Sequence, residues 1–341
     1  MNTKLPTTKE IALRLNVSVS TVSRALNDHP RIGMATKEKV KQLAKELNYE
    51  PNTQAIFFKQ NKTRVIGVVL PYIREEFFSD AISGIETAAL EHDYTILFGQ
   101  SYDDFEKEKK VVAAMRKQRV DGLLISLSKE TNNYQHLESL QNYNIPVIYF
   151  DRVPAFNHVH KVYCDLYKGT IELVEWLFQH GFRRIAFING PDKLLASKER
   201  RSGYIDGIAK QKIKVDMQLV EKTDLTKAGT RGAMEKLLSL KKRPDAIISF
   251  NDYVHMDAVQ YAQQHGVKVN KDIAFVSYAN LPITAYMAYP PMASLEQYPY
   301  GQGEKAMQFM IELLVKKSRE STAAPAFLQE QIEAKLVINK P

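Results

Sequence analysis

Apolar positions in the first fifty residues recur at intervals of three and four, a spacing that predicts short helices. Thr7 precedes a first helix over 8–15, and Glu10 follows it at the spacing of a capping box. A second helix is expected over 19–26, and a third is expected to begin near Thr36. The pattern therefore predicts a bundle of three short helices at the N-terminus.

From residue 64 onward, short apolar runs alternate with segments of helical period. Helical patterns cover, for example, 78–92 and 167–180. The runs are rich in β-branched residues, as strands buried on both faces are, and they read VIGVVLP, YTILFGQ, VDGLLIS, IPVIYFD, RIAFING, DAIISF and DIAFVSYA. This alternation predicts an α/β body made of two doubly wound subdomains.

The second predicted helix lies in NVSVSTVSRALN at 16–27, a segment rich in Val, Ser and Thr that is poorly suited to an isolated helix. A tight turn at Asn16 would join it to the first helix as a helix-turn-helix unit, whose second helix can enter the major groove of DNA. Small hydroxyl side chains permit close approach to phosphates, and Arg24 can reach a guanine edge or a phosphate. DNA contact therefore gives this composition a physical reason.

Charge supports the same interpretation. Residues 1–62 contain 11 Lys and Arg against 5 Asp and Glu, whereas the remainder contains 36 against 34, so the N-terminal part favours a polyanionic partner. Hydrophobic residues make up 44% and charged residues 25%, as in globular proteins. The lone Cys164 and the lack of an apolar leader or membrane-length run lead us to expect a cytoplasmic protein with no membrane contact.

TTKEIALRLNVSVSTVSRALN, followed by ATKEKVKQLAKELNYEPN, closely resembles the DNA-binding head of the lactose-repressor (LacI/GalR) family. The family usually has Gly in the turn, and Asn16 can replace it because Asn tolerates the left-handed conformation. The resemblance implies that Val19 and Ser20 read bases and that Arg24 makes an adjoining groove contact. It places five further residues mainly against phosphates: Thr7, Thr21, Ser23, Asn27 and Arg31. Ser18, which can cap the second helix, is also expected at the DNA.

NTQAIFFKQ, at 52–60, resembles the hinge of that family, which becomes helical on operator DNA and wedges an apolar residue into the minor groove. Asn52 and Ala55 match the family pattern, and Phe58 stands at the wedge position. Opening a base step costs a few kcal/mol, which the contacts made by bent DNA offset. The alternative is that Phe57 and Phe58 cover the neighbouring core.

The rest of the chain resembles the effector-binding core of the family, which is similar to periplasmic sugar-binding proteins. Two subdomains joined by three crossovers would close on a ligand by hinge motion. The expected divisions are a helix-turn-helix domain at 1–50, a hinge linker at 51–63 and a core at 64–341, with an N-subdomain at about 64–161 plus 292–322 and a C-subdomain at about 162–291 plus 323–341.

Ligands of doubly wound sheets bind beyond the carboxyl ends of the strands. The family pattern SxxRxxG[FY] carries a ligand-binding Arg, which corresponds to Arg200; the alternative is a surface salt bridge. Asp252 has a helix N-cap as its alternative role. The residues expected to bind the effector are Phe77, Phe78, Asp151, Leu194, Ala196, Arg200, Leu225, Asn251, Asp252 and Ala279.

Ala279 departs from the family pattern, because many relatives carry an Asp there that accepts hydrogen bonds from ligand hydroxyls. A cleft with fewer acceptors is less suited to a bare hexose. Two hypotheses stay open. The effector is larger, less hydroxylated or anionic with Arg200 as its charge partner, or it is a sugar held mainly by Asp151 and Asn251.

The sequence therefore predicts a homodimeric, sequence-specific transcription regulator, more often a repressor in this family, that binds a pseudo-palindromic operator and a sugar or related effector. The sequence does not distinguish a dimer from a tetramer. The alternatives are a sugar-binding protein without a regulatory role and an α/β enzyme. No cofactor or metal is expected, because the sequence contains no GxxxxGK[ST], HExxH or GxSxG motif and its eight His residues are scattered.

Overall fold

A computed structural model describes residues 6–49, 62–317 and 326–339, and the chain divides after Thr63 into two compact units. The first unit is the head and the second is the core. None of the helices in these described ranges is both long and apolar enough to cross a membrane. The head contains α1 (Thr8–Arg14), α2 (Val19–Leu26) and α3 (Met34–Glu46).

The helix starts of the head follow from local hydrogen bonds. The Thr7 and Ser18 hydroxyls accept the backbone N–H groups three residues later, at 3.3 Å and 3.1 Å, and so cap α1 and α2. Asn16 has a φ of 54°, which confirms the predicted left-handed turn. The third helix begins earlier than expected, because the Gly33 carbonyl already accepts the N–H of Thr36 at 3.0 Å.

A small cluster of buried apolar side chains joins the three head helices. Ile11, Val22, Ala25 and Val40 have no exposed surface, and Ala44 is 7% exposed. Each helix contributes one face to this cluster, at the helical spacing expected from the sequence. The opposite faces are left free for contact with a partner.

The described part of the core contains twelve strands, eight α-helices and three short 3-10 helices, Ser139–Tyr143, Met217–Leu219 and Pro282–Tyr286. The strands are β1 (Val65–Leu70), β2 (Thr95–Gln100), β3 (Gly122–Ile125), β4 (Val147–Phe150), β5 (His160–Asp165), β6 (Ile185–Asn189), β7 (Val220–Lys222), β8 (Ala246–Ser249), β9 (Ala274–Ala279), β10 (Ala293–Glu296), β11 (Gln329–Glu333) and β12 (Lys335–Ile338). The α-helices are α4 (Glu76–Leu90), α5 (Phe105–Lys117), α6 (Gln135–Glu138), α7 (Leu166–Gln179), α8 (Leu195–Lys210), α9 (Lys227–Ser239), α10 (Asp252–Gln264) and α11 (Pro299–Lys317).

The strands form two six-stranded sheets, one in each subdomain. The order is β11-β5-β4-β3-β1-β2 in the N-subdomain and β12-β10-β9-β8-β6-β7 in the C-subdomain. All pairs are parallel except β10 with β12. The seven apolar runs all form strands, and the predicted pair of doubly wound subdomains is confirmed.

The chain crosses between the sheets later than expected at all three places. β5 was expected to open the C-subdomain at 162 but pairs with β4 in the first sheet. β10 was expected in the N-subdomain segment 292–322 but pairs with β9 in the second sheet. β11 was expected in the C-subdomain segment 323–341 but pairs with β5. The expected subdomain boundaries are therefore wrong by a strand each.

These errors have a common physical cause. The three strands lack long apolar runs, so periodicity does not indicate which sheet they join. β5 includes the buried Lys161, whose ammonium group donates to the Phe156 carbonyl at 3.2 Å. β11 reads QEQIE and lies at a sheet edge, where alternate side chains are exposed. Pairing across the sheet, which depends on distant residues, decides where such strands belong.

α4 and α11 pack closely in the N-subdomain because glycines lie at their contact. A Cβ atom added at Gly84 would lie 2.1 Å from the Tyr300 carbonyl oxygen, and one added at Gly303 would lie 2.0 Å from the Ala81 carbonyl oxygen. Both neighbours are backbone atoms of the facing helix. The approach of the two helices therefore requires glycine on each side. Phe77 and Phe78 lie at the start of α4, on the N-terminal side of this contact.

Candidate DNA-binding surface and effector cleft

α2 separates its predicted base-reading residues from its core residues. Val19, Ser20 and Arg24 are exposed, and Val19 has 42% of its surface free although it is apolar. Val22 and Ala25, on the other side of the helix, are fully buried. A recognition helix needs this division, because one face must anchor in the head while the other enters a groove.

The other predicted DNA contacts within the described head are exposed or half-buried. The hydroxyl of Ser18 lies 2.8 Å from those of Ser20 and Thr21, so three small donors are gathered at the start of α2. Thr21 is half-buried, and the other predicted contacts of the described head are exposed: Thr7, Ser18, Ser23, Asn27 and Arg31. Three predicted contacts lie outside the described residues: Asn52, Ala55 and Phe58.

A cavity of about 50 Å³ lies between the two subdomains, at the carboxyl ends of the strands. We call this the cleft. All but two of the predicted effector residues line it: Phe77, Phe78, Asp151, Leu194, Ala196, Arg200, Asn251 and Ala279. The topology therefore brings together residues from both subdomains that are far apart in the sequence.

Arg200 is the central cation of the cleft and is only 4% exposed. Its guanidinium carbon lies 4.0 Å from the ring centre of Phe250 and 4.4 Å from that of Tyr278, and the two rings flank it. Nη2 donates to the amide oxygen of Gln297 at 3.3 Å, whereas Nε is buried without a partner. The alternative of a surface salt bridge is wrong, because the side chain is buried and no ion pair with a described carboxylate holds it.

The N-subdomain wall of the cleft carries two carboxylates, Glu75 and Asp151, beside the guanidinium of Arg152. Asp151 follows β4 with a left-handed φ of 56° and accepts the Ser126 hydroxyl at 3.2 Å. Burial raises the pKa of Asp151, although neighbouring guanidinium groups oppose the shift. Burial also raises the pKa of Glu75. Arg152 is already neutralised, since its Nη1 lies 2.5 Å from an oxygen of Asp103.

Leu225 and Asp252 do not line the cleft. Leu225 packs against the apolar core of the C-subdomain from a loop after β7. Asp252 is fully buried, accepts the Leu281 N–H at 2.8 Å, and has its pKa raised to about 6 by burial. Its alternative role as N-cap is also wrong, because Asn251 caps α10 by accepting the Val254 N–H. Asp252 therefore fixes the loop after β9.

Sequence reasoning missed six residues of the cleft. Glu75 and Arg152 adjoin predicted residues, so their position beside strand ends could have revealed them. Gln297 follows β10 at a crossover, and no local pattern marks it. The full set of additional lining residues is Glu75, Arg152, Phe250, Tyr253, Leu281 and Gln297.

Hydrogen bonds across the cleft hold the subdomains together. The Glu76 N–H donates to the Tyr253 hydroxyl at 3.0 Å, and the Glu76 carboxylate accepts the Ile283 N–H at 2.9 Å. The Lys129 ammonium donates to the Asp224 carbonyl at 2.8 Å. Small-molecule sites usually have about 300 to 1,000 Å³, so the cleft is closed and must open to admit a ligand.

A larger and more open pocket of about 630 Å³ shares Ala279 and Leu281 with the cleft. Its charged lining residues are Asp80 and Glu296, and both oxygens of Glu296 already accept hydrogen bonds from neighbouring groups. The described residues contain no cluster of three His, Cys, Asp or Glu side chains that could hold a metal ion. The cleft is the better ligand site because it combines a buried cation, aromatic rings and carboxylates.

Comparison with protein families assigns the chain. Residues 7–52 match the model of bacterial regulatory proteins of the lacI family. Residues 63–332 match the model of periplasmic binding proteins and the sugar-binding domain of the LacI family. The chain belongs to the LacI family. It is a transcriptional regulator with a helix-turn-helix DNA-binding domain and an effector domain of the sugar-binding type.

Individual relatives agree with this assignment to the LacI family. The chain is 29% identical over 306 residues to the HTH-type transcriptional repressor CytR of Escherichia coli (strain K12), which covers 90% of this chain and 89% of CytR. It is 27% identical over 316 residues to the repressor PurR of Vibrio parahaemolyticus serotype O3:K6, covering 93% and 94% of the two chains. These relatives are regulators rather than enzymes.

Solved structures of LacI-family regulators share the fold over almost the whole chain. The lac repressor dimer bound to operator and the anti-inducer ONPF has a TM-score of 0.82 at 22% identity, with 98% of both chains covered. The complex of the transcriptional regulator CelR with cellobiose has a TM-score of 0.73 at 24% identity, also with 98% of both chains covered. At these identities the likeness establishes the fold.

Proposed function

We propose that this LacI-family regulator is a cytoplasmic, homodimeric repressor that binds a pseudo-palindromic operator and a small-molecule effector, and that it is not an enzyme. The observation that carries the proposal is the exposure of Val19, Ser20 and Arg24 on a helix whose other face is buried. The names of the relatives CytR and PurR support repression. Both half-sites of the operator would be read by equivalent helices.

Selection of binding sites from random-sequence duplexes tests this proposal. We expect the full chain to select a pseudo-palindrome. Arg24→Ala should relax the preference at one position in each half-site and weaken binding by about 1–3 kcal/mol. Arg14→Ala is the matched control, because it removes one exposed charge from α1. Failure of the full chain to select any sequence would contradict the proposed function.

The homodimer is supported by apolar side chains that are exposed on the surface of the second unit, residues 64–341. Leu97 and Phe98 lie on the edge strand β2 and are 37% and 38% exposed, and Tyr286 is 89% exposed. An uncovered edge of this kind favours a second copy of the chain as its partner. Sedimentation equilibrium of the full chain should give twice the monomer mass, and a monomer at all concentrations would refute this part of the proposal.

Effector control would act through the cleft. A ligand that enters it must separate the contacts made by Glu76 and Lys129, and the N-subdomain would then change position relative to the C-subdomain. Coupling free energies of about 1 to 3 kcal/mol are typical, equivalent to a change of roughly 5- to 150-fold in operator affinity. We propose a sugar or a related metabolite as the effector, from the family of the domain.

A further inference from the structure

A loop of the N-subdomain, residues 128–131 after β3, reaches across to the C-subdomain, and we call it the latch loop. The Lys129 ammonium of this loop donates to the Asp224 carbonyl at 2.8 Å, in the loop after β7. In the opposite direction, the Lys193 ammonium, after β6, donates to the Glu130 carbonyl at 3.4 Å. Each subdomain therefore supplies one lysine to a backbone carbonyl of the other.

Two buried carboxylates fix the latch loop on the N-subdomain. Glu108, in α5, has no exposed surface and accepts the Ser128 N–H at 2.6 Å and the Thr131 hydroxyl at 2.9 Å, at the two ends of the loop. Asp103 is 5% exposed and accepts the Lys129 N–H at 2.9 Å between these ends. Hydrogen bonds to carboxylates are among the strong ones. The loop therefore moves with the N-subdomain, and the two subdomains separate at the lysine ammonium groups.

The lysine contacts lie apart from the cleft lining and from the contacts of Glu76. Neither Lys129 nor Lys193 is among the described residues that line the cleft. Lys193 and Asp224 follow β6 and β7, at one edge of the C-subdomain sheet, whereas Glu76 contacts segments that follow the inner strands β8 and β9. Substitution of either lysine therefore alters closure without removing a side chain that lines the effector site.

The two lysine bonds are strong enough to favour the closed core and weak enough to be reversible. Lys193 is exposed and Lys129 is half-buried, so water competes for both ammonium groups. Hydrogen bonds from charged donors in such positions shift an equilibrium by about 2- to 10-fold each. Loss of both bonds should therefore raise the ratio of open to closed cores by roughly 4- to 100-fold if their contributions are independent.

We propose that Lys129 and Lys193 form a latch that holds the core closed and, together with the contacts of Glu76, sets how often the cleft opens without a ligand. This proposal rests on the proposed function, in which the cleft must open to admit the effector. Both lysines are positioning residues, because they act on the effector site through the arrangement of the two subdomains.

Amide hydrogen exchange of the full chain, without DNA or effector, tests the latch. The N–H groups of Glu76 and Ile283 donate across the cleft, so their exchange reports the population of the open core. Lys129→Met keeps the aliphatic stem but removes the donor, and it should speed exchange at both amides about 2- to 10-fold. Lys193→Met should have a smaller effect because its bond is longer, and the double variant should exceed either single variant.

Matched variants separate the latch from a general effect of charge. Lys222 is an exposed lysine after β6 that pairs with Asp192 inside the C-subdomain, so Lys222→Met should leave exchange at Glu76 and Ile283 unchanged. Lys129→Arg should keep most of the protection, because it retains the charge and the donors. Amides of the central strand β8 should exchange at the wild-type rate in every variant, which shows that global stability is unaltered.

Three results would overturn the latch. One is unchanged exchange at Glu76 and Ile283 in the double variant, and another is an equal acceleration in Lys222→Met. The third is an acceleration that extends in the same proportion to the amides of β8, because it reports general destabilisation. These measurements use neither DNA nor effector. A failed selection of DNA sequences therefore refutes the proposed function, whereas a failed exchange test refutes the latch.

Discussion

The contact between α4 and α11 allows a stringent test of the packing argument. In Gly84→Ala, the new methyl carbon would lie 2.1 Å from the Tyr300 carbonyl oxygen and 2.9 Å from the Glu304 nitrogen. Non-bonded contacts of a carbon atom have their optimal separation from about 3.5 Å upward, so the two helices must separate by more than about 1 Å. No rotamer change can relieve the clash, because both neighbours are backbone atoms.

The magnitude follows from two opposing effects. Overpacking a core typically costs about 1 to 3 kcal/mol, and a clash with rigid backbone belongs at the upper end. Replacing Gly by Ala within a helix returns about 1 kcal/mol. We therefore expect Gly84→Ala to lower the free energy of unfolding by about 2 kcal/mol, which lowers Tm by roughly 4 to 8 °C in a domain of 150 to 250 residues.

Thermal unfolding followed by circular dichroism measures this change. Gly232→Ala in α9 is the matched control, because a Cβ atom added there meets nothing within 4 Å, and its Tm should stay the same or rise. Gly303→Ala should lower Tm as Gly84→Ala does, since its Cβ would lie 2.0 Å from the Ala81 carbonyl oxygen. A Gly84→Ala protein as stable as the wild type would refute the reasoning.

Three other predictions concern the cleft, the buried Asp252 and the hinge. Gly190→Ala places a Cβ atom 2.5 Å from the ring of Phe250, so it should displace this ring from Arg200 and lower Tm by a few degrees. An unchanged Tm, together with a crystal structure in which the ring has not moved, would contradict this prediction. Burial raises the pKa of Asp252 from 3.8 to about 6, so the folded state binds this proton more tightly than the unfolded state. The stability of Asp252→Asn relative to the wild type should therefore grow between about pH 4 and 6 and then level off, and urea unfolding that shows a pH-independent difference contradicts it. Phe58→Ala should reduce operator affinity and DNA bending in a gel-shift assay, and retention of both within about twofold rejects the wedge hypothesis.

Local patterns predicted the head and most of the α/β architecture. The Thr7 and Ser18 caps, the left-handed Asn16 and the apolar runs depend on neighbours within a few residues, so the sequence carries them directly. The resemblance to the LacI family added the list of cleft residues, and most of them line one cavity. The expected sheet membership of β5, β10 and β11 was wrong, because pairing partners are distant in sequence.

The chemistry of the cleft depends on contacts that no local pattern contains. Arg200 could be identified from SxxRxxG[FY], but its burial between Phe250 and Tyr278 follows from the way three chain segments meet. Asp252 stands next to a cleft residue in sequence, yet it turns away to hold the loop at Leu281. Short-range periodicity, capping and charge determined from sequence alone a basic helical head and an α/β body, and the resemblance to the LacI family added the class of the protein. Burial and long-range pairing, which arise only when the chain is folded, decided which side chains face the ligand and in which state of charge.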